Sequence, residues 1–110
     1  MIAFLDAKAV IYLLEGSTEF SAQVRDTLKQ WAAANSKLRL AVSELTRLEC
    51  RVQPLRMADT QLLATYDTFF SLADLIQIPL SAQVIDLATV IRARHNLKTP
   101  DALQAACCLQ

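Results

Sequence analysis

The chain opens on Met1-Ile2-Ala3-Phe4-Leu5, five apolar residues in a row that are stopped by Asp6. A short continuous run of this kind predicts a strand buried on both faces, as in a parallel sheet. Ala9-Val10-Ile11-Tyr12-Leu13-Leu14 follows and predicts a short helix closed by Gly16, the only glycine in the chain. Phe20, Val24, Leu28 and Trp31 then recur at steps of three and four, the stripe of an amphipathic helix. Ser17 or Thr18 is its expected cap. Leu38 to Val42 reads as a second strand, and Ser43 as the cap of a helix from Glu44 to about Gln53, ended by Pro54. A further helix is predicted from about Ala58 to Leu72, with Leu62, Tyr66, Phe69 and Phe70 on its inner side. Leu75 to Ile78 gives a third strand, and Ser81 caps a helix carrying Val84, Leu87, Ala88 and Ile91 inward. Thr99-Pro100-Asp101 has the start signals of a last helix: Thr as cap, Pro at the first position and an acid in the first turn.

Strands alternating with helices predict an α/β fold, a three-layer α/β/α sandwich around a mostly parallel sheet. The first strand is expected at its centre. Three strands make a thin sheet, and the last helix leaves apolar Ala105, Ala106 and Leu109 to be covered. The expectation is therefore one domain over residues 1–110 that lacks its C-terminal strand or strands.

Composition narrows this picture. A chain of 110 residues has room for one core, and 54% hydrophobic residues with one Gly and three Pro exclude a disordered or fibrous protein. Eleven basic and eleven acidic residues cancel, so any nucleic-acid contact must use a local basic patch. Cys50, Cys107 and Cys108 have no spacing of a zinc site or disulfide framework, and reduced, mostly buried thiols are expected. The N-terminus lacks a basic region before its apolar run, and no stretch approaches the ~20 apolar residues of a membrane span. A soluble cytoplasmic protein without membrane association is expected.

Three carboxylates stand out from the rest. Glu15, Glu19, Asp26, Asp59, Asp67 and Asp86 fall on polar helix faces or near helix ends, where a solvated role suffices. Asp6 instead follows a strand at its carboxyl end, where open α/β sheets hold their ligands, with a cap of the next helix as the alternative role. Glu49 shares a predicted core-facing stripe with Leu45, Leu48 and Val52, and a glutamate there needs a metal, an ion pair or an escape to the stripe's edge. Asp101 lies where the helix dipole alone would favour an acid. All three sit where an element meets the sheet rim, so one pocket could collect them. Clustered carboxylates need a counter-ion, and a hard divalent cation such as Mg²⁺ or Mn²⁺ prefers oxygen ligands. The chemistry expected is phosphodiester hydrolysis by a metal-activated water, without a covalent enzyme intermediate. No P-loop or GxGxxG is present, and His95 is the only histidine.

The residues also carry a resemblance. Phe4-Leu5-Asp6 with the apolar stretch Ala9 to Leu14 resembles the opening of PIN domains. The segment from Val42 through Glu49 to Val52 resembles their second motif, and that from Leu97 through Thr99-Pro100-Asp101 to Ala106 their third. Among PIN domains the chain resembles the VapC toxins of prokaryotic toxin–antitoxin pairs. The resemblance implies a Mg²⁺- or Mn²⁺-dependent endoribonuclease, a homodimer neutralised by a VapB-type antitoxin. It also implies Asp6, Glu49 and Asp101 as catalytic metal ligands. Candidates for RNA contact are Lys8, Ser43, Arg47, Arg92, Arg94 and Lys98, with His95 and Arg51 beside them.

Two departures qualify the likeness. Lys8 stands where PIN domains carry a small polar residue, and the family's fourth acid lies beyond Gln110. They leave open a second expectation, a PIN-like binding or dimerisation module impaired in catalysis. A receiver-like phosphoacceptor is the third and weakest, because Asp6 has no adjacent acidic pair.

Overall fold

A short strand cannot satisfy its own backbone, so the placing of three such strands decides the architecture. In the computed structural model, which describes residues 1–16 and 19–109, β1 (Ile2–Phe4), β2 (Arg39–Ser43) and β3 (Ile76–Ile78) form one parallel sheet. Its order is β1-β2-β3, with Phe4 opposite Ala41 and Ser43 opposite Ile78. The middle strand is thus β2, and β1 lies at one side of the sheet rather than at its centre. The backbone amide of Leu5 still donates to the carbonyl of Ala41 at 2.8 Å, one bond past the end of β1. Continuing that register brings Asp6 level with Ser43, at the carboxyl ends of the strands.

Alternation along the strands separates two cores. Leu5, Leu40 and Val42 face one side, with Val10 of α1 (Ala7–Glu15), Cys50 of α3 (Glu44–Arg56) and Tyr66, Phe69 and Phe70 of α4 (Thr60–Phe70). Leu28 of α2 (Glu19–Ala34) packs at the edge of this core. Phe4 and Ile78 face the other side, against Val84 and Ala88 of α5 (Ala82–His95) and Ala102, Ala106 and Cys107 of α6 (Thr99–Cys108). This is the expected α/β/α sandwich. No helix among the described residues is long and apolar enough to cross a membrane.

Several local expectations change. β1 is not buried on both faces: Ala3 and Leu5 are covered, but Ile2 is 63% exposed because α5 and α6 shield only part of the second face. The α2 stripe is only half used, with Phe20 and Trp31 exposed, and its expected caps Ser17 and Thr18 lie outside the described residues. Helix α3 runs through Pro54 to Arg56. A proline so near the helix end removes a single ladder bond, and the ladder resumes as Met57 N donates to Gln53 O at 3.0 Å. Helix α4 starts at Thr60, capped by Asp59, whose Oδ1 accepts from Leu62 N at 3.0 Å. Lys98, not Thr99, holds the cap position of α6, with no side-chain cap bond. Ser43 and Ser81 cap α3 and α5 as expected, and Gly16 closes α1 in the left-handed region at φ 48°. A Cβ on Gly16 would overlap the Arg25 guanidinium, whose Nη2 donates to Leu13 O.

Candidate functional site

The carboxyl end of β1, the starts of α1 and α6 and the second turn of α3 meet around a cleft of about 370 Å³. It is lined by Asp6, Ala7, Lys8, Glu49, Pro100, Asp101 and Gln104. All three acids singled out by the sequence therefore border one cavity, with Lys8 beside them.

Each arrives by a different local rule. Asp6 is the cap of α1, and its Oδ1 accepts from Ala9 N at 2.9 Å. The cap and the strand-end position are both realised, since the exposed Asp6 uses Oδ1 for the cap and also borders the cleft. Asp101 is exposed in the first turn of α6, at the positive end of the helix dipole. Glu49 reaches the cleft from the second turn of α3, half-buried.

The face that α3 turns inward is not the expected one. Thr46, Cys50 and Pro54 are its buried residues, while Leu48 is 58% exposed and Glu49 sits at the edge of the buried stripe. Thr46 tolerates burial because its polar atoms have partners. Its amide donates to Ser43 Oγ at 3.2 Å, and its Oγ1 accepts from Gln104 Nε2 at 2.8 Å. Gln104 Nε2 also donates to Glu49 Oε1 at 3.0 Å, and Ser43 Oγ donates to Gln104 Oε1 at 2.8 Å. Gln104 thus ties α6 to both ends of the site on α3.

Thr46 and Gln104 were missed by sequence reasoning. Their spacing was the available signal: Ser43, Thr46 and Glu49 follow at steps of three, as do Asp101 and Gln104. Ser43 had been expected to meet RNA. It is 1% exposed and committed to Thr46 and Gln104, so it supports the cleft from beneath instead. Arg47, Arg92, Arg94, His95 and Lys98 are exposed, the three from Arg92 to His95 in the last turn of α5. Arg51 is paired with Asp67 at 3.3 Å. Asp67 and Glu15 are likewise more than solvated surface acids, since Glu15 accepts from the hydroxyl of buried Tyr66.

Behind the cleft, the buried Cys50 thiol is pushed up to about 12, first by burial and then by the nearby charges of Glu49, Glu15 and Asp6. Burial also raises Cys107, and all three cysteines are free. Cys50 and Cys107 are buried, in line with the expectation of mostly buried thiols, and Cys108 is exposed.

Hard carboxylate oxygens suit a divalent cation such as Mg²⁺. Among the described residues, no three or more His, Cys, Asp or Glu side chains come together as a group that could hold a metal ion by themselves. Mg²⁺ does not demand one, because it keeps several waters and takes only one or two carboxylates directly. The donor set therefore fits a hydrated ion held at the rim rather than an all-protein cage.

An α/β sandwich with an acidic cleft at the carboxyl ends of its parallel strands belongs to the broad class that binds ligands at strand ends. The PIN domain family matches residues 3–110, and the chain belongs to that family, whose members are generally nucleases. A comparison with curated proteins finds no match. Among solved structures, the chain is similar to a toxin–antitoxin complex from Klebsiella pneumoniae, at 23% identity and a TM-score of 0.68. That match covers 94% of this chain and 75% of the other. It is also similar to VapBC2 from Rickettsia felis bound to a DNA fragment from its promoter, at 18% identity and a TM-score of 0.75, covering 97% of this chain and 79% of that one. These likenesses establish the shared fold.

Proposed function

We propose that this protein is a divalent-cation-dependent endoribonuclease of the VapC type, the toxin of a toxin–antitoxin pair. The observation that carries the reading is the convergence of Asp6, Glu49 and Asp101 on one cleft at the strand ends of a PIN-family chain. Their carboxylates would hold Mg²⁺ or Mn²⁺, which when bound acidifies water and offsets phosphoryl charge. Glu49, oriented by Gln104, and Asp6, oriented by the α1 cap, would keep fixed oxygens on the cleft. Lys8 at the rim would meet RNA phosphate, with Arg47, Arg92, Arg94 and Lys98 extending the track along the surface. The two solved relatives are described as toxin–antitoxin assemblies, which supports a VapB-type antitoxin as the partner. A homodimer working in the cytoplasm completes the reading.

The test is cleavage of an RNA oligonucleotide by the purified chain. Cleavage that needs Mn²⁺ or Mg²⁺, stops with a chelator and is lost in Glu49→Gln is expected. Equal cleavage with chelator present contradicts the reading.

A second reading, a PIN-like binding module without catalysis, draws on Lys8 lining the cleft and on the open spacing of the acids. On that reading the unmodified chain binds no Mn²⁺ and Lys8→Asn restores binding. Unchanged binding in Lys8→Asn removes Lys8 as a cause of inactivity.

A further inference from the structure

We infer that Gln104 is the positioning residue of the cleft, fixing the pose of the Glu49 carboxylate from the neighbouring helix. The inference rests on the proposed role of Glu49 as a cation ligand and adds a residue to it.

The geometry leaves the amide one orientation. A glutamate carboxylate only accepts, so the Gln104 atom 3.0 Å from Glu49 Oε1 must be the nitrogen, Nε2. The other end, Oε1, then accepts from Ser43 Oγ at 2.8 Å. The second Nε2 proton goes to Thr46 Oγ1 at 2.8 Å. Both protons and the carbonyl of Gln104 are therefore used, and its two anchors, Ser43 and Thr46, are buried. Among the described residues, no buried side-chain polar atom lacks a partner, so the network is closed.

The consequence lies in the pose of the carboxylate. With Oε1 held by Gln104, Glu49 is fixed in one orientation, and Oε2 and the second lone pair of Oε1 remain for a ligand in the cleft. Glu49 is only half-buried, and without this bond several rotamers are available to a long side chain. Partners of this kind set the orientation of metal ligands, and removing them weakens metal affinity by about 10–100-fold. Gln104 also joins α6, which carries Asp101, to α3, which carries Glu49, so the two acids are held in one frame.

The test has a metal-free part and a metal-bound part. In the metal-free protein, the two Gln104 side-chain amide protons should exchange slowly by NMR. One of them should become fast in Glu49→Ala. Fast exchange of both in the unmodified protein overturns the inference, whether or not Mn²⁺ binds.

In the second part, Mn²⁺ affinity is read by EPR beside the melting temperature. Gln104→Met keeps the volume and removes the donor, and about 10–100-fold weaker Mn²⁺ binding is expected. Thr46→Val breaks the same network but leaves the bond to Glu49, so it should lower the melting temperature with much less loss of Mn²⁺. Equal losses of Mn²⁺ in both variants would mean a merely structural role and would overturn the inference. Slow amide exchange together with no Mn²⁺ binding by the unmodified protein leaves the positioning standing and removes the proposed function instead.

Discussion

Two concavities of this molecule invite contrast. The cleft at the strand ends is about 370 Å³ and is bordered by three acids, a lysine and a glutamine. A groove on the second face of the sheet is larger, about 670 Å³, and is lined mostly by apolar side chains, among them Ile2, Phe4, Trp31 and Ile78. The larger hollow arises because α5 and α6 cover only part of that face. The smaller one is built: its polar atoms are tied together across α3 and α6, and Asp6 is held by the α1 cap. Size marks where packing stops, whereas a closed polar network marks where chemistry is prepared.

The contrast can be broken most sharply at Glu49. Glu49→Ala should reduce Mn²⁺ binding to background in a calorimetric titration while the protein remains folded. Retained binding would move the site elsewhere.

The thiols separate the two regions next. Cys108 borders the groove and is exposed, whereas Cys50 is sealed behind the cleft. With its thiol pushed up to about 12, roughly one Cys50 in a thousand is thiolate near pH 9. Iodoacetamide should therefore label Cys108 in the folded protein and spare Cys50, which a mass spectrum would reveal. The sign of the accompanying stability effect follows. A thiol raised in the folded state contributes fully below the ordinary thiol value of about 8.5 and loses that contribution as pH climbs toward 12. Melting temperature should fall across that window, and less steeply in Cys50→Ala.

Lys8→Asn tests the charge at the cleft's rim. Removing a cation beside a cation site should strengthen Mn²⁺ binding several-fold and weaken RNA binding, most visibly at low salt. The smallest effect is expected in the groove. Trp31→Ser removes an exposed ring and should change unfolding free energy by no more than about 0.5 kcal/mol, with Mn²⁺ affinity unchanged. Lost metal binding in that variant would undo the distinction between the two hollows.

How much of this was legible in the sequence depended on the range of the interaction. Element types were readable because each rests on a local period. The caps Ser43 and Ser81 were readable because an Ncap hydroxyl acts within three residues. The central position of β2 was not, since strand order is set by pairing between residues far apart in the chain. The inward face of α3 was misjudged because hydropathy counts Leu48 as a core residue and Thr46 as a surface one. The hydroxyl of Thr46 is satisfied by Gln104, which lies 58 residues away, and that partner is invisible to a helical wheel. Asp6 and Glu49 were legible as anomalies of position, whereas Asp101, which sits where the helix dipole alone favours an acid, was legible mainly through the family resemblance. Gln104, an ordinary polar residue on an alanine-rich helix, carried no anomaly of its own.

The central claim is that the three acids serve one cation, and anomalous scattering from a Mn²⁺-soaked crystal tests it most directly. A peak in the cleft within coordination distance of Glu49, and of Asp6 or Asp101 directly or through water, is the expected result. A peak elsewhere, or none at a Mn²⁺ concentration that supports RNA cleavage, would contradict the account.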